Sequence, residues 1–324
     1  MDNTEAATDG PMASSTRSQS SRYSDLSIIV PAYNEQDGLG VTLDGLLEAF
    51  PGAEIIVVDD CSVDRTSDVA MSRNVRVIRH MFNQGQGAAL KQGMRAAERA
   101  YVAWFDADNE HRCEDLERLF HRITRDNLVA AIGQRSRSSS LTRGAGKWLI
   151  RLIGRGLKIR IGSDLNCGLR VFRREVILRY LSIVPDRFSA SLVTTLIMVE
   201  RGYPLGFEEI KTNERIGTST VRLKDGFEAI LMLIRCVLLF APMRLFLPLG
   251  TGLLLIGTIY SAVIAITLSQ GLPVAGLLVI LTGLLSGILG LVADQISQIR
   301  LSQLPELYLT IEPDLEGTRK EKVK

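Results

Sequence analysis

Tyr101-Val-Ala-Trp-Phe-Asp-Ala-Asp-Asn-Glu-His111 is the stretch that decides the architecture. An apolar and aromatic run, Tyr101 to Phe105, passes without a break into an acidic turn carrying Asp106, Asp108 and Glu110. A short apolar run closed by turn chemistry reads as a strand buried on both faces, the kind found in parallel sheets covered by helices. In such sheets ligands bind beyond the carboxyl ends of the strands, which puts both aspartates at the working edge.

Four further runs share this character: Leu26 to Val30, Glu54 to Val58, Val75 to Ile78 and Val129 to Ile132. Helical segments are predicted between them over 37–49, 65–73, 87–99 and 114–125, with Asp64 or Ser62 as a helix cap. The alternation predicts an α/β fold, a doubly wound and mostly parallel sheet covered on both faces. Two of these strands also end in acid. The first runs into Pro31-Ala-Tyr-Asn-Glu35 and the second into Asp59-Asp60.

Carboxylates held side by side repel unless a cation lies between them. With three histidines, and four cysteines that form no C-x-x-C pair, the simplest partner is a hard divalent ion, magnesium or manganese. Such ions keep water and share positions with phosphate oxygens, which points to a nucleoside diphosphate ligand. A lone Asp-x-Asp is common by chance, and its weight here comes from its place at a strand end. Asn83-Gln-Gly-Gln-Gly87 before Ala88 has two readings, a phosphate cradle or a turn that only starts a helix.

Charge excludes one class of partner. Lys plus Arg number 38 against 36 Asp plus Glu, a net +2, without the basic excess that nucleic-acid binding calls for. Any basic patch is local. Between Arg135 and Arg160 there are eight basic residues and no acidic one. Lys147, Arg151 and Arg155 recur every four residues, stacking on one helix face. That face suits anionic headgroups or an acceptor phosphate; the plainer reading is a solvated surface.

From Leu245 to Ala293 no side chain is charged, a stretch of 49 residues. It is long enough for two membrane spans, which take about 20 residues each. Ser269, Gln270, Gly271 and Pro273 break it, predicting a helical hairpin of 247–268 and 273–293 rather than a buried soluble pair. Arg244 and Arg300 flank the hairpin and its turn has no basic residue, so both ends are expected on the cytoplasmic side. The division expected is a disordered tail over 1–24, a catalytic domain over 25–225, an amphipathic interfacial region over 226–246, the hairpin, and a cytoplasmic tail over 294–324. The interfacial region also reads as an ordinary packing helix.

Several motifs, in order, are similar to those of family 2 glycosyltransferases. They are VPAYNE (30–35), VVDDCSVDRT (57–66), NQGQGAALKQGM (83–94), FDADNEH (105–111), DLNCGLRVFRR (164–174), PDRFSASLVTTLIMVERGY (185–203) and ERIGTST (214–220). Within that family the chain most resembles the dolichyl-phosphate mannose synthase group and its bacterial polyprenyl-phosphate relatives, over about 25–246. The resemblance implies a GT-A fold, an inverting transferase, a UDP- or GDP-sugar donor, a Mg2+ or Mn2+ ion, and undecaprenyl or dolichyl phosphate as acceptor. It implies a bacterial inner membrane location, with membrane lipids as partners and a small anchor that could assemble with copies of itself. Carried over by position, it gives a donor site of Pro31, Tyr33, Glu35, Val58, Asp60, Asp106, Ala107, Asp108, Arg135 and Arg215. Asp108 and Glu110 become metal ligands, and Asp108, Asp164 and Arg215 the catalytic group, although Asp164 reads equally well as a helix cap or backbone brace.

Two positions depart from the group. Glu110 stands where mannose synthases often have Gln, and Thr220 follows Ser219 where Lys is frequent, so the sugar stays unassigned. Two other readings are open from sequence alone: a family 2 transferase acting on a glycan or glycolipid hydroxyl, which would need a general base, and a catalytically silent membrane scaffold.

Overall fold

The computed structural model describes residues 22–135, 167–187, 190–213, 238, 242–268 and 271–302. Asp164, Arg215, Lys147, Arg151 and Arg155 lie outside the described residues, as do most of the expected N-terminal tail, the interfacial region and the C-terminal tail.

Among the described residues seven strands form one sheet: β1 (Leu26–Ala32), β2 (Glu54–Asp59), β3 (Arg76–Arg79), β4 (Tyr101–Trp104), β5 (Ala130–Arg135), β6 (Arg170–Arg173) and β7 (Leu205–Ile210). Their order is β3-β2-β1-β4-β6-β5-β7. All pairings are parallel except those of β6, which runs antiparallel to both β4 and β5. The helices are α1 (Leu39–Ala49), α2 (Thr66–Met71), α3 (Gln86–Ala96), α4 (Cys113–Arg125), α5 (Arg174–Arg179), α6 (Ala190–Glu200), α7 (Met243–Leu268) and α8 (Val274–Ser302).

The strands divide their side chains by the two-residue period of the pleat. Ile29, Ile56, Val58, Val102 and Trp104 face a core shared with α3, α5 and α6. Ile28, Val30, Val57, Ala103 and Phe105 face a second core shared with α1 and α4. Burial on both faces is why these strands read as continuous apolar runs.

Helix α2 begins at Thr66, and its cap position is Arg65, which makes no side-chain cap bond. Asp64 does the work one residue earlier, its Oδ1 accepting the Thr66 N–H at 2.9 Å, while the Ser62 hydroxyl is turned to Asp59 at 2.5 Å.

Helices α7 and α8 are both long and apolar enough to cross a membrane. At 26 residues α7 is about 39 Å long, against a hydrocarbon core of about 30 Å. Helix α8 continues beyond Ala293, through Asp294, to Ser302. The two are sealed by glycine. A Cβ on Gly250 would lie 2.8 Å from the Gly283 carbonyl, and one on Gly257 would lie 2.9 Å from the Ile280 nitrogen. Leu255, Ile256, Leu284 and Ile288 point outward, and Thr251, Thr258, Thr267 and Thr282 each return their hydroxyl to the carbonyl four residues back. The helical backbone and these four threonine hydroxyls thus meet their polarity inside the hairpin, as a lipid environment demands, whereas the buried Ser261 and Ser286 hydroxyls find no partner among the described residues.

Candidate active site

The acidic turns after β1, β2 and β4 come together because these strands are parallel neighbours in near-level register, with Ala32 opposite Asp59 and Ile29 opposite Trp104. Each turn contains one non-glycine residue in the left-handed region: Asn34 (φ 56°), Cys61 (φ 65°) and Asn109 (φ 62°). Such residues persist only where surrounding contacts hold them.

Those contacts are visible. The Asn34 N–H donates to Ser62 Oγ and the Val63 N–H returns to Asn34 Oδ1, both at 2.9 Å. Glu35 N–H donates to Thr66 Oγ1 at 2.9 Å and Gln36 N–H to Asp64 Oδ2 at 3.2 Å. The first two turns are therefore laced into one ledge. Asp59, fully buried, underpins it by accepting the Ser62 N–H at 2.9 Å and the Ser67 hydroxyl.

Asp60 turns the other way. Its Oδ1 lies 2.7 Å from His80 Nδ1 and accepts the Gln84 N–H at 2.8 Å, while Oδ2 accepts the Gly85 N–H at 2.7 Å. Gly85 needs its positive φ of 102° to make this approach. The next amides are taken too. Gly87 N–H donates to the Arg187 carbonyl at 3.3 Å and Ala88 N–H to the Asp186 carbonyl at 2.7 Å. Of the two sequence readings of this glycine-rich segment, the structure favours the helix start. Its amides at 84, 85, 87 and 88 bind protein oxygens, so they do not form an open phosphate cradle.

The third turn carries the densest acidic set, Asp106, Asp108 and Glu110. Asp106 is held at both oxygens, Oδ1 by Gln86 Nε2 at 3.2 Å and Oδ2 by His111 Nε2 at 2.9 Å. Asp108 is 6% exposed and its Oδ1 accepts the Glu110 N–H at 3.1 Å. Glu110 meets Arg135 Nη1, from the end of β5, at 3.2 Å. The turn is pressed against α1: the Thr42 hydroxyl donates to the Ala107 carbonyl at 3.1 Å, and a Cβ on Gly38 would lie 3.2 Å from Asp108 Cα. The strand-end segment after β7 closes on it as well, Asn213 N–H donating to the Glu110 carbonyl at 2.9 Å. Arg215 follows two residues later in sequence.

Burial by itself would push the His111 pKa down. The hydrogen bond His111 donates to Asp106 and the charges of Asp106, Glu110 and Asp108 outweigh it, and the imidazole is held above its ordinary value.

The structure thus gathers Asp106, Ala107, Asp108, Glu110 and Arg135 on one edge, beside Pro31 and Val58 as buried strand ends and Tyr33, exposed at 46%, on the ledge. Glu35 stands on the same ledge. Sequence reasoning missed Gln86 and His111, neither of them a carboxylate. The available signal was a polar side chain opening a helix and a histidine three residues beyond Asp108.

Among the described residues no group of three His, Cys, Asp or Glu side chains is placed to hold a metal ion by itself. The set present on this turn, Asp106, Asp108 and Glu110, consists of hard oxygen donors. Magnesium-type ions take one or two protein carboxylates and complete their shell with water and substrate phosphate. The donor set fits an ion finished by ligand oxygens.

Comparison with known proteins agrees with this geometry. The profile described as Glycosyl transferase family 2 matches residues 27–181, and one described as GtrB C-terminal hairpin matches 241–299. An uncharacterized protein of Methanocaldococcus jannaschii is 30% identical over 196 residues, covering 57% of this chain and 80% of its own. An undecaprenyl-phosphate mannosyltransferase of Micrococcus luteus is 32% identical over 167 residues, 46% of this chain and 66% of its own. The chain spans between about half and four fifths of such relatives. Glucosyl-3-phosphoglycerate synthase of Mycobacterium tuberculosis, crystallized with Mn2+ and UDP-glucose, superposes with a TM-score of 0.53 at 16% identity, covering 72% of this chain and 84% of that one. That likeness concerns the fold alone, and the fold is of the GT-A type.

Proposed function

The chain belongs to glycosyl transferase family 2, and on that premise we propose that it moves a sugar, with inversion, from a nucleotide-sugar to a polyprenyl phosphate at a membrane surface. The observation that carries this reading is the pairing, in one chain, of an acidic edge at the ends of β1, β2 and β4 with an apolar, glycine-sealed hairpin. A water-soluble donor suits the first, and a lipid acceptor suits an enzyme anchored by the second. The mannosyltransferase of Micrococcus, named for undecaprenyl phosphate, supports the acceptor class.

Asp108, with Glu110 beside it, would hold Mg2+ or Mn2+, which when bound neutralises charge on the departing nucleoside diphosphate. The protein's own groups do the placing. His111 and Gln86 fix the Asp106 carboxylate toward the donor. Arg135, tethered by Glu110, presents a guanidinium to sugar or phosphate oxygens. A phosphate monoester is already largely ionised at neutral pH, so its oxygen attacks the anomeric carbon without a strong protein base. Positioning supplies most of the rate for such a step. In this reading Arg215 and Asp164 serve the same centre, Lys147, Arg151 and Arg155 meet headgroups or acceptor phosphate, and the catalytic domain and both chain ends lie in the cytoplasm.

The test is a panel. Purified protein is offered UDP- and GDP-sugars with undecaprenyl or dolichyl phosphate and magnesium, and the lipid product is identified by mass. The expected product carries one sugar joined through a single phosphate. Asp108→Ala should abolish it while the protein stays folded and membrane-bound. Sugar on a hydroxyl instead, or full turnover by Asp108→Ala, would refute the reading.

A further inference from the structure

We infer that His111 is a positioning residue for donor binding, holding the Asp106 carboxylate in a clamp whose other jaws are Gln86 and the backbone at Gly168. This deepens the donor-site reading above and rests on it.

Four observations meet at one carboxylate. His111 Nε2 lies 2.9 Å from Asp106 Oδ2, and because a carboxylate only accepts, that nitrogen carries the proton. Gln86 Nε2 takes the other oxygen from the first turn of α3 at 3.2 Å. A Cβ added to Gly168 would stand 2.5 Å from Asp106 Oδ2 and 3.2 Å from His111 Nε2, so the chain leading into β6 has room there only for glycine. The imidazole is itself wedged, 3% exposed, edge-on to the Phe105 ring at 5.7 Å between centroids. With its ring fixed and both carboxylate oxygens engaged, Asp106 has little rotational freedom left.

The other ring nitrogen bears on this assignment. His111 Nδ1 is buried and has no hydrogen-bond partner among the described residues. A buried polar atom left unpaired costs stability, and a purely structural site would be better filled by an apolar side chain of similar size. Retaining histidine here makes sense if the Nε2–H bond is worth more to ligand binding than the orphaned Nδ1 costs the fold. Side chains that orient a binding group in this way commonly change affinity or activity by about 10- to 100-fold.

The experiment measures UDP and GDP binding by calorimetry with Mn2+ present, on full-length protein in detergent, for wild type, His111→Leu, His111→Gln, Asp106→Asn and the Asp106→Asn/His111→Leu double variant. His111→Leu should weaken binding about 10- to 100-fold while its thermal midpoint stays equal or rises. Gln, which can place an N–H near Nε2, should recover most of the lost binding. The double variant should bind like Asp106→Asn alone, since histidine acts only through that carboxylate. Wild-type affinity in His111→Leu, loss of folding without rescue by Gln, or additive effects in the double variant would each overturn the inference. Wild type that binds neither nucleotide would remove the donor site and this inference together. Normal nucleotide binding without transfer to polyprenyl phosphate would instead count against the acceptor assignment alone.

Discussion

Asp64 shows how one side chain sets both a helix start and a pH dependence. Burial pushes its pKa up, but hydrogen bonds from the Thr66 hydroxyl and the N–H groups of Thr66 and Gln36 favour the carboxylate more strongly, and the value falls below the ordinary 3.8. A depressed folded-state pKa means the stabilisation is complete above the unfolded value and is lost as pH falls through the folded one. Asp64→Asn should therefore flatten the decline in urea-unfolding free energy as pH falls through and below the ordinary carboxylate range, and an unchanged acid slope would contradict this. Residues of this kind were legible because carboxylates before helices carry a known local role. Asp60 was legible only as an acid at a strand end. Its engagement with His80 and two backbone amides depends on a loop 20 residues away, which no local pattern reveals.

At the scale of elements, the five strands read from sequence stand within a few residues of β1 to β5, because burial on both faces writes itself as apolar runs. Strands β6 and β7 carried no such signal. Strand β6 is only Arg170-Val-Phe-Arg173, and its buried Arg170 reads as a surface residue. In the fold that guanidinium donates to the Cys167 carbonyl at 2.7 Å and to Thr195 Oγ1 at 2.6 Å, a context supplied by α6 and absent from four residues of sequence. The hairpin was legible as two apolar spans, but its seam was not. Gly283 faces Gly250 and Leu254, whereas a Cβ on Gly252 would meet nothing within 4 Å. Gly283→Leu should lower the thermal midpoint in detergent by several degrees through overpacking of about 1–3 kcal/mol, and Gly252→Leu should leave it unchanged. Equal effects of the two would mean that the seam does not hold the helices.

Across the whole molecule, a sheet that delivers three acidic turns to one edge is joined in the same chain to a hairpin suited to lipid. The division of labour was readable because charge and hydropathy separate it along the sequence. The way the turns cooperate was not, since lacing between 34–36 and 62–66 and the clamp on Asp106 are tertiary facts. The most direct measurement is a crystal structure of the protein with Mn2+ and its nucleotide-sugar, read by manganese anomalous scattering. A single peak is expected beside Asp108, next to the donor pyrophosphate, with the nucleotide lying along the ledge formed by the first two turns. An anomalous peak elsewhere, or a nucleotide bound away from these three turns, would contradict it.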